Sequence, residues 1–153
     1  MTESRRDPPV PSTEKRLVGR ALSYWEHLRG GRSFPTVADI PGTPAPFDDQ
    51  NLFVVRLGRN EREDEIVAAG DAVAAALGYD PVGQPAMDVL PSAKEKGLAF
   101  CRAVAELKKP LADVGRFFNR AGREVTYRSI LLPFSDDQRN VNYVIGALSC
   151  KFG

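Results

Sequence analysis

The first clear pattern of hydrophobic positions lies near the amino terminus, where apolar residues recur with the spacing of one face of an α-helix. These positions are Leu17, Val18, Ala21, Leu22, Tyr24, Trp25 and Leu28. Ser12 or Thr13 can cap the start of this helix, and Gly30 and Gly31 end it. The pattern predicts an amphipathic helix whose apolar stripe needs a cover.

Later in the chain, apolar and β-branched residues form short runs bounded by Gly, Pro and polar residues, which is the pattern of strands. The predicted strands are residues 52–57, 65–69, 111–119, 124–134 and 141–150. Gly122 lies between the third and fourth of them, where a hairpin loop needs a residue that accepts a positive φ. The sequence therefore predicts two early strands and three late ones.

The segment between these two groups of strands predicts helices. Asp71 can cap a short helix that ends at Gly78. Residues 79–91 contain three prolines and a glycine, so they favour helices of one turn at most. A Ser-x-x-Glu capping box then predicts a longer helix over residues 92–108, which Pro110 ends.

The order of elements, a helix, two strands, helices and three strands, indicates an α+β fold. Strands joined by hairpins pair antiparallel, and the helices between them collect on one side of the sheet. The charged, Pro-rich residues 1–11 predict a disordered tail. We therefore expect that tail, a helix and connector over residues 12–50, and a folded core over residues 51–153.

The charge and the cysteine count exclude several classes of protein. The chain has 21 basic and 20 acidic residues, and acids interleave with arginines in residues 59–64, so a basic stripe for nucleic acid is missing. Cys101 and Cys150 are too few for a disulfide framework. The polar start lacks the apolar core of a signal peptide, and no run is long enough to span a membrane. We expect a cytoplasmic protein that does not bind nucleic acid.

Several motifs resemble one known family. They are DAVAAALGY at residues 71–79, MDVL at 87–90, YWEHLRGGR at 24–32, LLPFSDD at 131–137 and VIGAL at 144–148. Together they resemble the PAS domain, and the motifs near the two ends resemble a PAS family found mainly in alphaproteobacteria. The resemblance covers residues 17–148.

This resemblance implies a curved, five-stranded antiparallel sheet that cups a small pocket. It also implies small helices on one face of the sheet and the amphipathic N-terminal helix outside the core. PAS domains sense ligands, bind cofactors or mediate signalling contacts, and the resemblance does not choose among these roles.

The signatures of cofactor-binding PAS groups are missing. His27 is the only histidine, whereas haem-binding PAS domains usually take their axial histidine from the long helix, here residues 92–108. Light-sensing relatives carry a reactive cysteine after Asn, whereas Phe100 precedes Cys101. One histidine and two distant cysteines do not make a zinc site, and no histidine of the core region could activate a nucleophile. We expect no cofactor, no metal and no catalytic residue.

An internal pocket has candidate lining residues that are apolar or aromatic. They are Tyr79, Met87, Leu98, Cys101, Phe117, Tyr127 and Leu131. None of them is Lys or Arg, so a ligand should be neutral and largely apolar, with the Tyr127 hydroxyl to orient it. The same residues equally suit a filled core.

The candidate interface is the stripe of the N-terminal helix, which should not face water. Its members are Leu17, Ala21, Leu22, Trp25 and Leu28, and they either fold back on the chain's own sheet or dock on a second copy.

The function that this sequence predicts is that of a non-catalytic PAS-type signalling domain. It would act by contact with a second copy or a separate signalling protein, by sensing a small apolar molecule, or by both. The alternative is a small cone-shaped α+β enzyme. Such folds usually place several helices before the strands, whereas here two predicted strands precede the central helices.

Overall fold

The computed structural model of the chain describes residues 12–40 and 49–153. The predicted tail, residues 1–11, and residues 41–48 of the predicted connector lie outside the described residues. Within the described part, no helix is long and apolar enough to cross a membrane.

A single sheet organises the fold. Its strands are β1 (Leu52–Arg56), β2 (Glu65–Ala69), β3 (Leu111–Phe118), β4 (Glu124–Phe134) and β5 (Tyr143–Phe152). They lie in the order β2-β1-β5-β4-β3, and every neighbouring pair is antiparallel. The predicted five-stranded antiparallel α+β fold is confirmed. β5 begins later than predicted because Asn142 belongs to the preceding loop, where its side chain accepts a hydrogen bond from the Asp136 amide at 3.0 Å.

The α-helices of the described residues are one long N-terminal helix and four short ones. They are α1 (Ser12–Arg29), α2 (Asp71–Leu77), α3 (Ala86–Val89), α4 (Pro91–Lys96) and α5 (Phe100–Leu107). The single helix predicted over residues 92–108 is wrong, because the chain turns at Gly97 between α4 and α5. Gly97 has a φ of +68°, a left-handed conformation that suits glycine and ends α4.

Two predicted helix caps are also wrong. Leu90 is the N-cap of α4, and the Ser92 hydroxyl donates a hydrogen bond to Asp113 instead of capping the helix. Gly70 is the N-cap of α2, so Asp71 is the first residue inside that helix.

The two faces of the sheet carry separate hydrophobic clusters, because side chains alternate along each strand. On β4, Tyr127 and Leu131 belong to the cluster with α2, α3 and α5, whereas Ile130 and Leu132 belong to the cluster with α1. We call the first face inner and the second outer. Because both are covered, β4 is buried without interruption over residues 129–134.

The apolar stripe of α1 covers the outer face of the chain's own sheet. Leu17, Ala21 and Trp25 are buried there, and Leu22 and Leu28 are partly buried against the same cluster. The sequence left two options for this stripe, the chain's own sheet or a second copy, and in the structure it packs on the chain's own sheet. The candidate interface is therefore already occupied within one molecule.

Hydrogen bonds fasten α1 and the segment after it to the end of β4. The Trp25 indole donates to the Pro133 carbonyl at 2.8 Å. The Val37 amide donates to the Ser135 carbonyl at 2.8 Å, and the Ser135 amide donates to the Pro35 carbonyl at 3.1 Å. The motifs near the two ends of the sequence thus meet in space, where they hold α1 on the sheet.

Candidate functional site

A cavity lies between the inner face of the sheet and the four short helices. It contains about 700 Å³ of empty space, a volume that includes solvent at its mouth. Most of its wall is apolar, and the residues that form this apolar part include Phe53, Ile66, Val73, Leu77, Val89 and Leu148.

Small side chains and the break between α4 and α5 leave this space open. Ala86, Ala93 and Ala99 lie on the helical side of the wall, where larger side chains would fill the volume. The turn at Gly97 keeps Leu98 out of both helices, and Leu98 lines the cavity while remaining 40% exposed. Its exposure places Leu98 at the mouth.

The structure brings most of the predicted lining residues together. Met87, Leu98, Cys101, Tyr127 and Leu131 all line the cavity. The other two predicted residues line a smaller pocket nearby.

That smaller pocket holds about 300 Å³ and contains Tyr79 and Phe117. The Arg120 guanidinium lies over the Tyr79 ring at 3.6 Å from its centroid. The Phe117 ring packs edge-on against Tyr127, with 5.9 Å between centroids. Both rings therefore pack against other side chains of the protein and do not line the larger cavity.

One part of the cavity wall is polar. The Tyr127 hydroxyl donates to Asp113 Oδ2 at 2.8 Å, and the Ser92 hydroxyl donates to the same oxygen. The Ser92 and Tyr127 oxygens are 3.0 Å apart. One hydrogen-bonded cluster therefore joins the edge strand β3, its neighbour β4 and helix α4.

Gly115 gives Tyr127 the room to reach this cluster. The two residues are partners in the β3–β4 register, and a Cβ at Gly115 would lie 3.1 Å from the Tyr127 hydroxyl oxygen. The pKa of Tyr127 is raised to about 12, mainly by burial and in part by its hydrogen bond to Asp113, against the lowering effect of the hydrogen bond to Ser92. The phenol therefore stays protonated at neutral pH and acts as a donor.

Ser129 adds a second polar group to this wall. It is the register partner of Asp113 across β3 and β4, and it lies two residues from Tyr127, so all three face the cavity. Its side chain is only 6% exposed, and no described residue hydrogen-bonds to its hydroxyl.

A buried ion pair closes another part of the wall. The Arg102 guanidinium donates to both carboxylate oxygens of Asp64, with 2.9 Å between Nε and Oδ2. Arg102 also donates to the Gly58 carbonyl at 2.8 Å. Because Asp64 lines the cavity and Arg102 neutralises it, the wall gains little net charge there.

Cys101 contributes an unreactive thiol. Its pKa is raised to about 12, mainly by burial and in part by the charge of Asp64, against the lowering effect of Arg102. A protonated thiol is a poor nucleophile and a poor metal ligand. No cluster of three or more His, Cys, Asp or Glu side chains that could hold a metal ion occurs in the part of the chain that the structure describes.

Sequence reasoning missed the polar residues of the wall, Ser92, Asp113 and Ser129. A usable signal was present for two of them. Strand alternation places Asp113 and Ser129 on the same faces as apolar positions predicted to be inside. The position of Ser92 depended on a helix start that the capping-box pattern placed incorrectly.

Solved structures of light-oxygen-voltage domains share this fold. One, studied with a flavin analogue, is 18% identical, with a TM-score of 0.52 over 67% of this chain and 77% of that chain. A fungal light-oxygen-voltage photoreceptor is 16% identical, with a TM-score of 0.53 over 74% of this chain and 84% of that one. The Rhodobacter sphaeroides protein is 16% identical, with a TM-score of 0.50 over 65% of this chain and only 57% of its own length.

A comparison with curated protein sequences finds no match. A comparison with family models matches the one described as PAS domain over residues 14–149. That range includes most of α1, strands β1 to β4, most of β5 and every residue of the cavity wall. The chain therefore belongs to the PAS domain family.

Proposed function

We propose that this PAS domain is a non-catalytic sensor whose ligand is a small, largely apolar molecule bound in the cavity between the sheet and the short helices. The observation that carries the proposal is the cavity itself. It lies between the inner face of the sheet and the short helices, and its wall is mostly apolar, as is usual for ligand pockets. A domain that used its core for packing alone would fill this space.

The composition of the wall favours binding over catalysis. Its thiol, Cys101, stays protonated. The only histidine, His27, is exposed on α1, which packs on the other face of the sheet. PAS domains are generally sensory, and these features support the same role here. The location in the cytoplasm stays a prediction from the sequence.

A flavin nucleotide fits this wall poorly. Its phosphate is anionic, whereas the wall contains no Lys or Arg and includes Asp113, which forms no ion pair among the described residues. Arg102, which lies beside the cavity, is held by Asp64. These observations support a ligand without an anionic group, and we propose no cofactor.

Filling the cavity tests the proposal. We expect toluene, as a neutral apolar probe, to raise the melting temperature of the native protein, and by more at higher concentration. Cys101→Phe places a ring in the cavity and should abolish this rise, at a cost of about 1–3 kcal/mol if the ring exceeds the space. Cys101→Ala, which leaves the space open, should retain the rise.

Two results would contradict this proposal. A full rise in the Cys101→Phe variant would place the probe elsewhere. No rise in the native protein would mean that the cavity does not accept apolar molecules.

A second role, contact with a separate signalling protein, is supported by the part of the outer face that α1 leaves uncovered. Val114 and Phe118 on β3 are 58% and 68% exposed there. Alternation places Arg116, Arg128 and Lys151 on the same face, against one acidic side chain, Glu124. A two-fold axis would bring like charges together, so this surface fits an acidic partner better than a second copy.

A further inference from the structure

The polar part of the cavity wall has unused hydrogen-bonding capacity. Asp113 Oδ2 accepts bonds from Ser92 and Tyr127, whereas no described residue donates to its other oxygen, Oδ1. Ser129, the register partner of Asp113, also has a hydroxyl without a partner among the described residues.

The burial of Ser129 indicates that its hydroxyl needs a hydrogen-bond partner inside the cavity. The residue is more than nine-tenths buried and lines the cavity, so its oxygen faces the interior space and not bulk solvent. Buried polar groups in native proteins are nearly always hydrogen-bonded to protein, water or ligand. A ligand group is one natural partner for a hydroxyl in this position.

The charge of the wall indicates the kind of group. A carboxylate accepts hydrogen bonds and cannot donate them. Arg102 is the basic side chain held beside the cavity, and it is occupied by Asp64 and Gly58. No ion pair of the described residues involves Asp113, so its carboxylate favours a donor and disfavours an anion.

We propose that the cavity selects an apolar molecule with a single hydrogen-bond-donating head, a hydroxyl or an amino group. Asp113 Oδ1 accepts the bond from this head, and the Ser129 hydroxyl makes a second bond to it. Tyr127 and Ser92 hold the carboxylate in place. This inference rests on the proposed function, because it specifies the ligand of the same cavity.

Four probes with one ring and different heads test the inference: toluene, benzyl alcohol, benzylamine and benzoate. Dissociation constants from NMR titration of the native protein should fall about tenfold from toluene to the better donor, the gain expected from one charge-assisted hydrogen bond. Benzoate should bind more weakly than toluene. The alcohol and the amine distinguish a neutral donor from a cationic one.

Two variants assign this preference to its residues. Asp113→Asn and Ser129→Ala should each reduce the ratio of the dissociation constant of toluene to that of the better donor, toward one. Ser129→Ala keeps the test valid if Asp113→Asn fails to fold. Ser149→Ala is the matched control, because Ser149 is a buried serine on β5 outside the cavity wall, and it should change nothing.

The outcomes separate this inference from the proposed function. Equal binding of toluene, benzyl alcohol and benzylamine would overturn the donor inference and leave the apolar cavity as the ligand site. Tightest binding of benzoate would overturn it as well. If none of the four probes binds, the proposed function fails together with the inference.

Discussion

Asp64 and Arg102 place opposite charges in a part of the molecule where solvent has little access. The side chains are 3% and 25% exposed, and the Gly58 amide donates a further hydrogen bond to Asp64 at 2.9 Å. The pair thereby joins α5 to the turn between β1 and β2. A buried pair contributes little net stability, but removing one member leaves the other charge unpaired.

At this residue scale, we predict that Arg102→Met lowers the free energy of unfolding by about 3–5 kcal/mol, because Asp64 loses its partner. Arg56→Met is the matched control. It breaks an ion pair with Glu65 whose side chains are about half exposed, and it should cost about 0–1 kcal/mol. Urea unfolding measures both values. Similar losses of stability in the two variants would contradict the prediction, because burial would then not increase the cost of breaking the Asp64 pair.

At the scale of single elements, α1 is the part whose role the structure defines most clearly. Its stripe protects Ile130, Leu132 and other apolar side chains of the outer face from water. Trp25 is the largest side chain of the stripe, and it adds a directional contact through its bond to the Pro133 carbonyl.

We predict that Trp25→Ala costs about 3–5 kcal/mol of stability, the usual range for removing a large buried aromatic side chain. Trp25→Phe keeps a ring but loses the hydrogen bond. The lost bond should cost about 1 kcal/mol of stability, in addition to the cost of the smaller buried surface. Glu26→Ala, on the exposed side of α1, should stay within about 0.5 kcal/mol of the native protein. Denaturant unfolding checks all three. An unaffected Trp25→Ala variant would mean that α1 does not protect the sheet.

At the scale of the whole molecule, intramolecular docking of α1 changes the expected oligomeric state. The apolar stripe of α1, which could have joined two copies, is buried against the sheet of its own chain. Among the described residues, the large apolar side chains that are exposed on the outer face are Val114 and Phe118 on β3, in a surface with an excess of positive charge.

We therefore predict that the isolated protein is a monomer of about 16.8 kDa in light scattering, also at low salt, where repulsion between like charges is strongest. Phe118→Ser should leave this mass unchanged. A native dimer that Phe118→Ser dissociates would show that a second copy, and not a separate acidic partner, occupies the outer face.

The sequence by itself determined the local elements and the class of the fold. Short apolar and β-branched runs located all five strands, and glycines and prolines marked most of their limits, because these signals depend on neighbouring residues alone. The apolar lining of the cavity was also predictable in part, since the candidate residues Met87, Leu98 and Leu131 do line it. Gly97 was the local exception, because a glycine inside a helical pattern does not reveal whether it will turn left-handed.

Only the tertiary structure decided which surfaces meet. The α1 stripe is equally apolar whether it packs on its own sheet or on a second copy of the chain. Which of the two it contacts depends on residues of β4 and β5, which are distant in sequence. In the same way, Asp113 and Ser129 become neighbours only through the β3–β4 register. Tyr79 and Phe117 have the character of lining residues, yet they lie in a separate pocket. A periodic pattern specifies the face on which a side chain lies, whereas packing between distant segments specifies what that face contacts and whether space is left between them.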